Sequence, residues 1–181
     1  MLALIRLLVI LLFYYPLSSM GTAASIENMQ LLGKGTAYYL KFIKVYDASL
    51  YSEPLAGSQN ILDRDVSKCL QLQYSVGVDA EDFITSANTI LTRQFTTEQL
   101  NEVATELEIL HGGYTDVEEG DSYTLCYLKT TQTTTLALNN QEVVSVSSPD
   151  FAEIYFSIWL GKTDPLDEEL REDLLANIGV K

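Results

Sequence analysis

The chain has 181 residues, with twenty-five acidic side chains against eleven basic ones and a formal net charge of −14 at neutral pH. A field of that sign repels phosphate, which argues against nucleic acid or anionic membrane surfaces as partners; it says little about fold, and most of the acids read as a solvated surface. The length suits one compact domain with one core, and neither an internal repeat nor a Pro/Ser/Gly-rich linker divides it.

Residues 1–24 read as a secretory signal peptide. Arg6 gives a short basic start, residues 7–15 are an unbroken apolar run, Pro16 breaks it, and small residues lead to Thr22, Ala23 and Ala24, with cleavage expected after Ala24. The apolar run is about half the ~20 residues that a bilayer-spanning helix needs, so no stable membrane anchor is expected. The product, residues 25–181, is then an exported domain, periplasmic or secreted.

Along that domain, residues 35–42 and 44–51 read as strands with a bend near Ile43, and in the second of them Tyr46, Ala48 and Leu50 share the core face. Residues 67–76 alternate cleanly, with Leu70, Leu72, Tyr74 and Val76 inward and Gln71, Gln73 and Ser75 outward. Asp79 is placed to cap a helix carrying Phe83, Ile84, Ala87, Ile90 and Leu91. A second helix starts near Thr96 or Thr97, carries Leu100, Val103, Leu107 and Leu110, and stops at Gly112-Gly113. Strands follow over 121–129, 133–138 and 142–146, the last two joined at Asn139-Asn140. Ser148-Pro149 opens a helix with Phe151, Ile154, Tyr155, Ile158 and Trp159 on one stripe, ended by Gly161. Asp164-Pro165 opens another, carrying Leu166, Leu170, Leu174 and Leu175. Strands, two helices, strands and two helices make an α+β fold, an antiparallel sheet with helices packed on one face.

Cys69 and Cys126 each fall in a predicted strand on the side with polar neighbours. An oxidising compartment allows them to pair if their strands are adjacent and antiparallel, but parity alone cannot place two strands side by side, so a bridge and two buried thiols both stay open.

Three segments carry a family resemblance. GKGTAYYLKFIKVYDASLYSEP resembles the G-x-G-V-R and K-V-Y-x-x-x-L-Y opening strands of the chalcone isomerase fold, and DSYTLCYLKTTQTTTLALNNQEV resembles the middle strands of its exported bacterial branch. DFAEIYFSIWLGKTDPLDEELREDLL resembles that branch's closing signature, F-x-x-x-Y-F-x-I-W-L-G followed by P-L-x-x-x-L-R-x-x-L-L. The resemblance runs in order over nearly all of residues 30–177. It implies an open-faced β-sandwich, a large antiparallel sheet under a helical layer with a cleft between them. Some members cyclise chalcones, others bind fatty acids, and others have no catalysis.

Cyclising a chalcone adds a phenolate to an enone, so the protein must stabilise negative charge on oxygen, a task suited to a guanidinium in a dry cleft. Where the family carries that arginine, this chain has Ala37. Lys41 shares its parity but lies roughly 13 Å farther along an extended strand, and Lys34 sits in the glycine turn. The resemblance also places Tyr46 where catalytic members have a threonine, Phe95 where they have a tyrosine, and Glu102 near their asparagine. Missing contacts at ~2 to 4 kcal/mol each remove most of the electrostatic advantage of such a site.

The expected cleft wall is therefore Ala37, Tyr38 or Tyr39, Tyr46, Phe95 and Glu102, a ligand site without catalytic residues, metal or cofactor. A non-catalytic module holding a small apolar or fatty-acid-like molecule is the first reading. An envelope accessory or protein-interaction module with a collapsed cleft is the second, and an isomerase or lyase using Glu102 or a tyrosine as acid or base is the third. Elsewhere, His111 complements a helix dipole. The spacing of Asp116, Glu118, Glu119 and Asp121 does not match a calcium loop. GKGT lacks the spacing of a phosphate loop, and the five threonines within 130–135 read as strand propensity. Trp159 reads as core packing ahead of a ligand wall.

Overall fold

The computed structural model describes residues 26–56 and 59–178; the expected signal peptide lies outside them. Six strands, β1 (Gln30–Tyr39), β2 (Ile43–Ser52), β3 (Lys68–Tyr74), β4 (Ser122–Leu128), β5 (Thr133–Leu138) and β6 (Gln141–Ser147), form one antiparallel sheet in chain order. Five helices, α1 (Ala80–Gln94), α2 (Thr97–Asn101), α3 (Ala104–His111), α4 (Pro149–Leu160) and α5 (Glu168–Leu174), complete the expected α+β layering.

Period-two alternation sets which side chains meet the helices. Ala48, Leu50, Leu70, Leu72, Tyr123, Leu125 and Leu136 are all buried on the inner face. At β1 that row consists of Gly33, Gly35 and Ala37, opposite Leu50, Ala48 and Tyr46. The reason is α5. A Cβ on Gly35 would lie 2.7 Å from Leu170 Cδ1, and one on Gly33 would collide with the carbonyl of Asp173, so the two glycines let a helix lie directly on the strand.

The central helix is α4. Ser148 Oγ accepts from the Phe151 amide at 3.1 Å, and Pro149 occupies the first helical position. Phe151, Ala152, Tyr155, Phe156, Ile158, Trp159 and Leu160 are all buried, so the helix is covered on almost every side. Each large side chain contributes roughly 1.5–3 kcal/mol by leaving water. Gln94, the last residue of α1, ties that helix to α4 by accepting from Ser157 Oγ at 2.6 Å and donating to the Ser157 carbonyl at 3.0 Å.

The structure corrects several local expectations. The first strand does not run to residue 42 and bend at Ile43; it starts at Gln30 and reverses at Leu40 and Lys41, whose φ values of 51° and 66° put both in the left-handed region. Asn139 and Asn140 repeat those angles in the β5–β6 turn, where asparagine makes the conformation easier to adopt. Asp79 makes no side-chain cap; the Ala80 amide instead donates to Asp116 Oδ1 at 2.8 Å, which gives the acidic loop a structural task. The second helix is broken into α2, with a capping box of Thr96 and Gln99, and α3, because Val103 turns inward between them. The last helix starts at Glu168 with Asp167 as its cap, leaving Leu166 outside it. Cys69 and Cys126 are register partners and form a disulfide on the outer face, which settles the question that parity left open.

Candidate functional site

The helical layer does not close over the whole inner face. Between the β1–β4 side of the sheet and helices α1 and α4 lies a cleft of about 560 Å³, within the ~300 to 1,000 Å³ typical of small-molecule sites. The sheet contributes Ala37, Tyr46, Leu72 and Tyr74, α1 contributes Phe83, Ser86, Ala87 and Ile90, and α4 contributes Tyr155, Ile158 and Trp159.

The aromatic grouping follows from register. Tyr46 and Tyr74 are cross-strand partners on the inner face, and their rings pack edge to face with centroids 5.5 Å apart. Tyr123 continues the row, 6.2 Å from Tyr74. From the helical side Phe83 stacks on Tyr114 at 5.1 Å and presents its edge to Tyr74 and Tyr123, both at 5.6 Å.

The hydroxyls of this group differ in what they have left to give. Tyr123 is spent, accepting from the Thr115 amide at 2.9 Å and donating to the Thr115 carbonyl at 3.1 Å. Tyr46 accepts from Trp159 Nε1 at 3.1 Å, so its own proton stays available. Tyr114 and Tyr155 share one hydrogen bond of 2.8 Å. Tyr74 is only 3% exposed, yet its hydroxyl makes no hydrogen bond among the described residues. Burial pushes the hydroxyls of Tyr46, Tyr74, Tyr114 and Tyr155 above the ordinary tyrosine range, so each is a neutral donor at physiological pH.

No lysine or arginine lines the cleft among the described residues, and its carboxylates, Asp82 and Asp167, are both exposed. Lys41 occupies the exposed hairpin turn. Lys34 borders a different hollow, shared with Asp47, Asp167, Glu169 and Asp173. Ala37 adds a small uncharged side chain to the cleft wall.

Of the residues expected to form the wall, the structure brings together Ala37, Tyr38, Tyr39 and Tyr46. Tyr38 and Tyr39 are 53% and 61% exposed and stand at the rim. Phe95 and Glu102 do not join them, which corrects the expectation. The backbone becomes extended at Phe95, and the two residues border a separate hollow with Gln94, Ser157 and Lys162. Tyr74, Phe83 and Tyr155 were readable in the sequence only as core; the inward alternation of 67–76 placed Tyr74 on the right face, but nothing local showed that the face stays open there. His111 ends α3 as expected, but its ring packs 6.0 Å from Tyr155 and 6.3 Å from Tyr114, and burial lowers its pKa. Burial favours the neutral ring, and aromatic packing accompanies its place in the last turn of the helix.

The family model described as chalcone isomerase-like matches residues 19–176. A search of curated protein sequences returned no match. Among solved structures, the crystal structure of a fatty-acid binding protein of Arabidopsis thaliana is similar, with a TM-score of 0.64 and 18% identity over 83% of this chain and 88% of that one. At that identity the likeness establishes the fold, a sheet-and-helix sandwich with one partly uncovered inner face. The chain belongs to the chalcone isomerase-like family.

Proposed function

We propose that this protein is an exported, non-catalytic carrier of a small apolar molecule of fatty-acid-like size, held in the cleft between the sheet and helices α1 and α4. The observation that carries the reading is the cleft itself: about 560 Å³ of space with a mostly apolar and aromatic wall, open where a purely structural core would be filled. The likeness to a fatty-acid binding protein supports it, and the uncollapsed cleft weighs against the protein-interaction alternative. The absence of a fixed cation in the described wall weighs against an enzyme that stabilises an oxyanion there. Glu102, the carboxylate considered for acid or base chemistry, is exposed and lies in the other hollow.

Organic extraction of the protein purified from its natural host, followed by mass spectrometry, tests the binding. Recovery of one apolar species in near-equal molar ratio is expected; protein that is empty and takes up no lipid probe would contradict the reading. Placement in the exported bacterial branch, with cleavage after Ala24, is tested by sequencing the N-terminus of the native product. A chain beginning at Ser25 is expected; a chain that retains residues 1–24 in the cytoplasm would refute export.

A further inference from the structure

The polar chemistry of the cleft specifies the head of the ligand. A carboxylate moved from water into an apolar space needs a cation or several donors in fixed positions, and without them the charged form is driven out. The described wall holds no lysine or arginine, and its rim carries Asp82 and Asp167. What the interior offers is neutral hydroxyl. Tyr74 is buried with no hydrogen-bond partner among the described residues, beside a Tyr46 whose oxygen is already occupied by Trp159 and whose proton is not. The Tyr74 hydroxyl borders the cleft and bonds to no protein group among the described residues, so its hydrogen-bonding capacity is free for a ligand atom.

The geometry points to a ligand that is uncharged, largely apolar and equipped with a carbonyl or hydroxyl oxygen, bound with that oxygen between Tyr46 and Tyr74 and its apolar body along α1 and α4. Resting on the carrier reading above, this narrows it to alcohols, ketones and esters and excludes the free fatty carboxylate. The two tyrosines are suited to the role because they are register partners on the inner face, with ring centres 5.5 Å apart in an edge-to-face pair, and both line the same cleft. The same rings do not make a cage for a quaternary amine, because Tyr74 turns its neighbours edge to face instead of offering converging faces.

The test is a matched ligand series read by the fluorescence of Trp159, the single tryptophan of the chain and part of the cleft wall. Dodecanol, methyl dodecanoate, dodecanoate, dodecane and dodecyltrimethylammonium share one tail and differ in the head. Near pH 8, where dodecanoate is ionised, dodecanol and the methyl ester are expected to bind at least about tenfold more tightly than dodecanoate, and several-fold more tightly than dodecane. Tyr74→Phe is expected to shrink the gap between dodecanol and dodecane to about twofold or less, with thermal unfolding reported alongside to show that the variant is folded. Equal or tighter binding of dodecanoate or of the ammonium compound would overturn the assignment while leaving the carrier reading intact. A dodecanol preference unchanged by Tyr74→Phe would overturn the role of Tyr74. Failure of every member to bind would overturn both this inference and the carrier reading.

Discussion

Strand β3 carries a polar residue on its inner face at each end, and the two have opposite fates. Lys68, at its start, is fully buried; its Nζ donates to the carbonyls of Leu62, Asp63 and Val66 at 3.2, 3.1 and 3.3 Å and lies 4.8 and 5.5 Å from the ring centres of Tyr127 and Phe156. Tyr74, at its end, is also buried but faces the cleft, and its hydroxyl has no hydrogen-bond partner among the described residues. One end of the sheet is closed around a satisfied cation, which pins the 60–66 segment; the other is left open with donors unspent. A buried polar group with all its bonds made serves the architecture, whereas one with a bond left to make beside open space is available to a ligand.

The largest effect should come from breaking the closed end. Lys68→Ala removes the donor from three carbonyls and leaves a void beneath Tyr127 and Phe156, at an expected cost of about 3 to 5 kcal/mol in chemical denaturation. Next is the disulfide beside it: Cys69 directly follows Lys68, and the bridge closes a sequence separation of 57 residues. Replacing both cysteines with alanine should cost about 2 to 4 kcal/mol by the same measurement. Neither change should alter the tyrosine hydroxyls at the other end.

A smaller effect sharpens the contrast through pH. Burial pushes Lys68 down from 10.5 to about 8, against the opposing pull of Glu153, Asp63 and Glu53. Between those values the unfolded chain holds a proton that the folded one has released, so stability rises with pH, by at most about 1.4 kcal/mol per unit. The buried tyrosines act in the opposite sense. Their raised pKa means that the folded state keeps protons which the unfolded chain loses above 10, so stability falls there. Thermal unfolding is expected to show a gain of about 1 to 2 kcal/mol from pH 8 towards 9.5 and then a decline, with the gain absent in Lys68→Met. The smallest stability effect belongs to the open end. Tyr74→Phe removes a hydroxyl that bonds to nothing in the described fold, and should change stability by no more than about 0.5 kcal/mol while weakening binding.

The difference between the two ends also explains how far the sequence could be read. Alternation put Tyr74 on the inner face, and Ser148-Pro149 and Asn139-Asn140 marked a helix start and a turn, because each signal is local. Lys68 is on the same alternation as Leu70 and Leu72, yet a lysine at a strand start reads as outward; only the carbonyls of the folded 60–66 segment make its burial tolerable. Leu40-Lys41 carries no turn chemistry, so the reversal there was read only as a bend near Ile43, although the distance of Lys41 from Ala37 along the strand was legible. Pairing of Cys69 with Cys126 needed strand adjacency, which is non-local information. Phe95 and Glu102 were misplaced because a family correspondence drawn across a helix end does not track where the chain turns.

The central claim is that the space beside Tyr46 and Tyr74 is where a guest molecule resides. Crystals grown with a bromine-tailed long-chain alcohol, with the bromine located by its anomalous scattering, test it most directly. The account predicts alcohol density within hydrogen-bond reach of both tyrosines and bromine between the sheet and helices α1 and α4. Bromine in the hollow beside Phe95 and Glu102, or an unoccupied cleft at saturating alcohol, would contradict it.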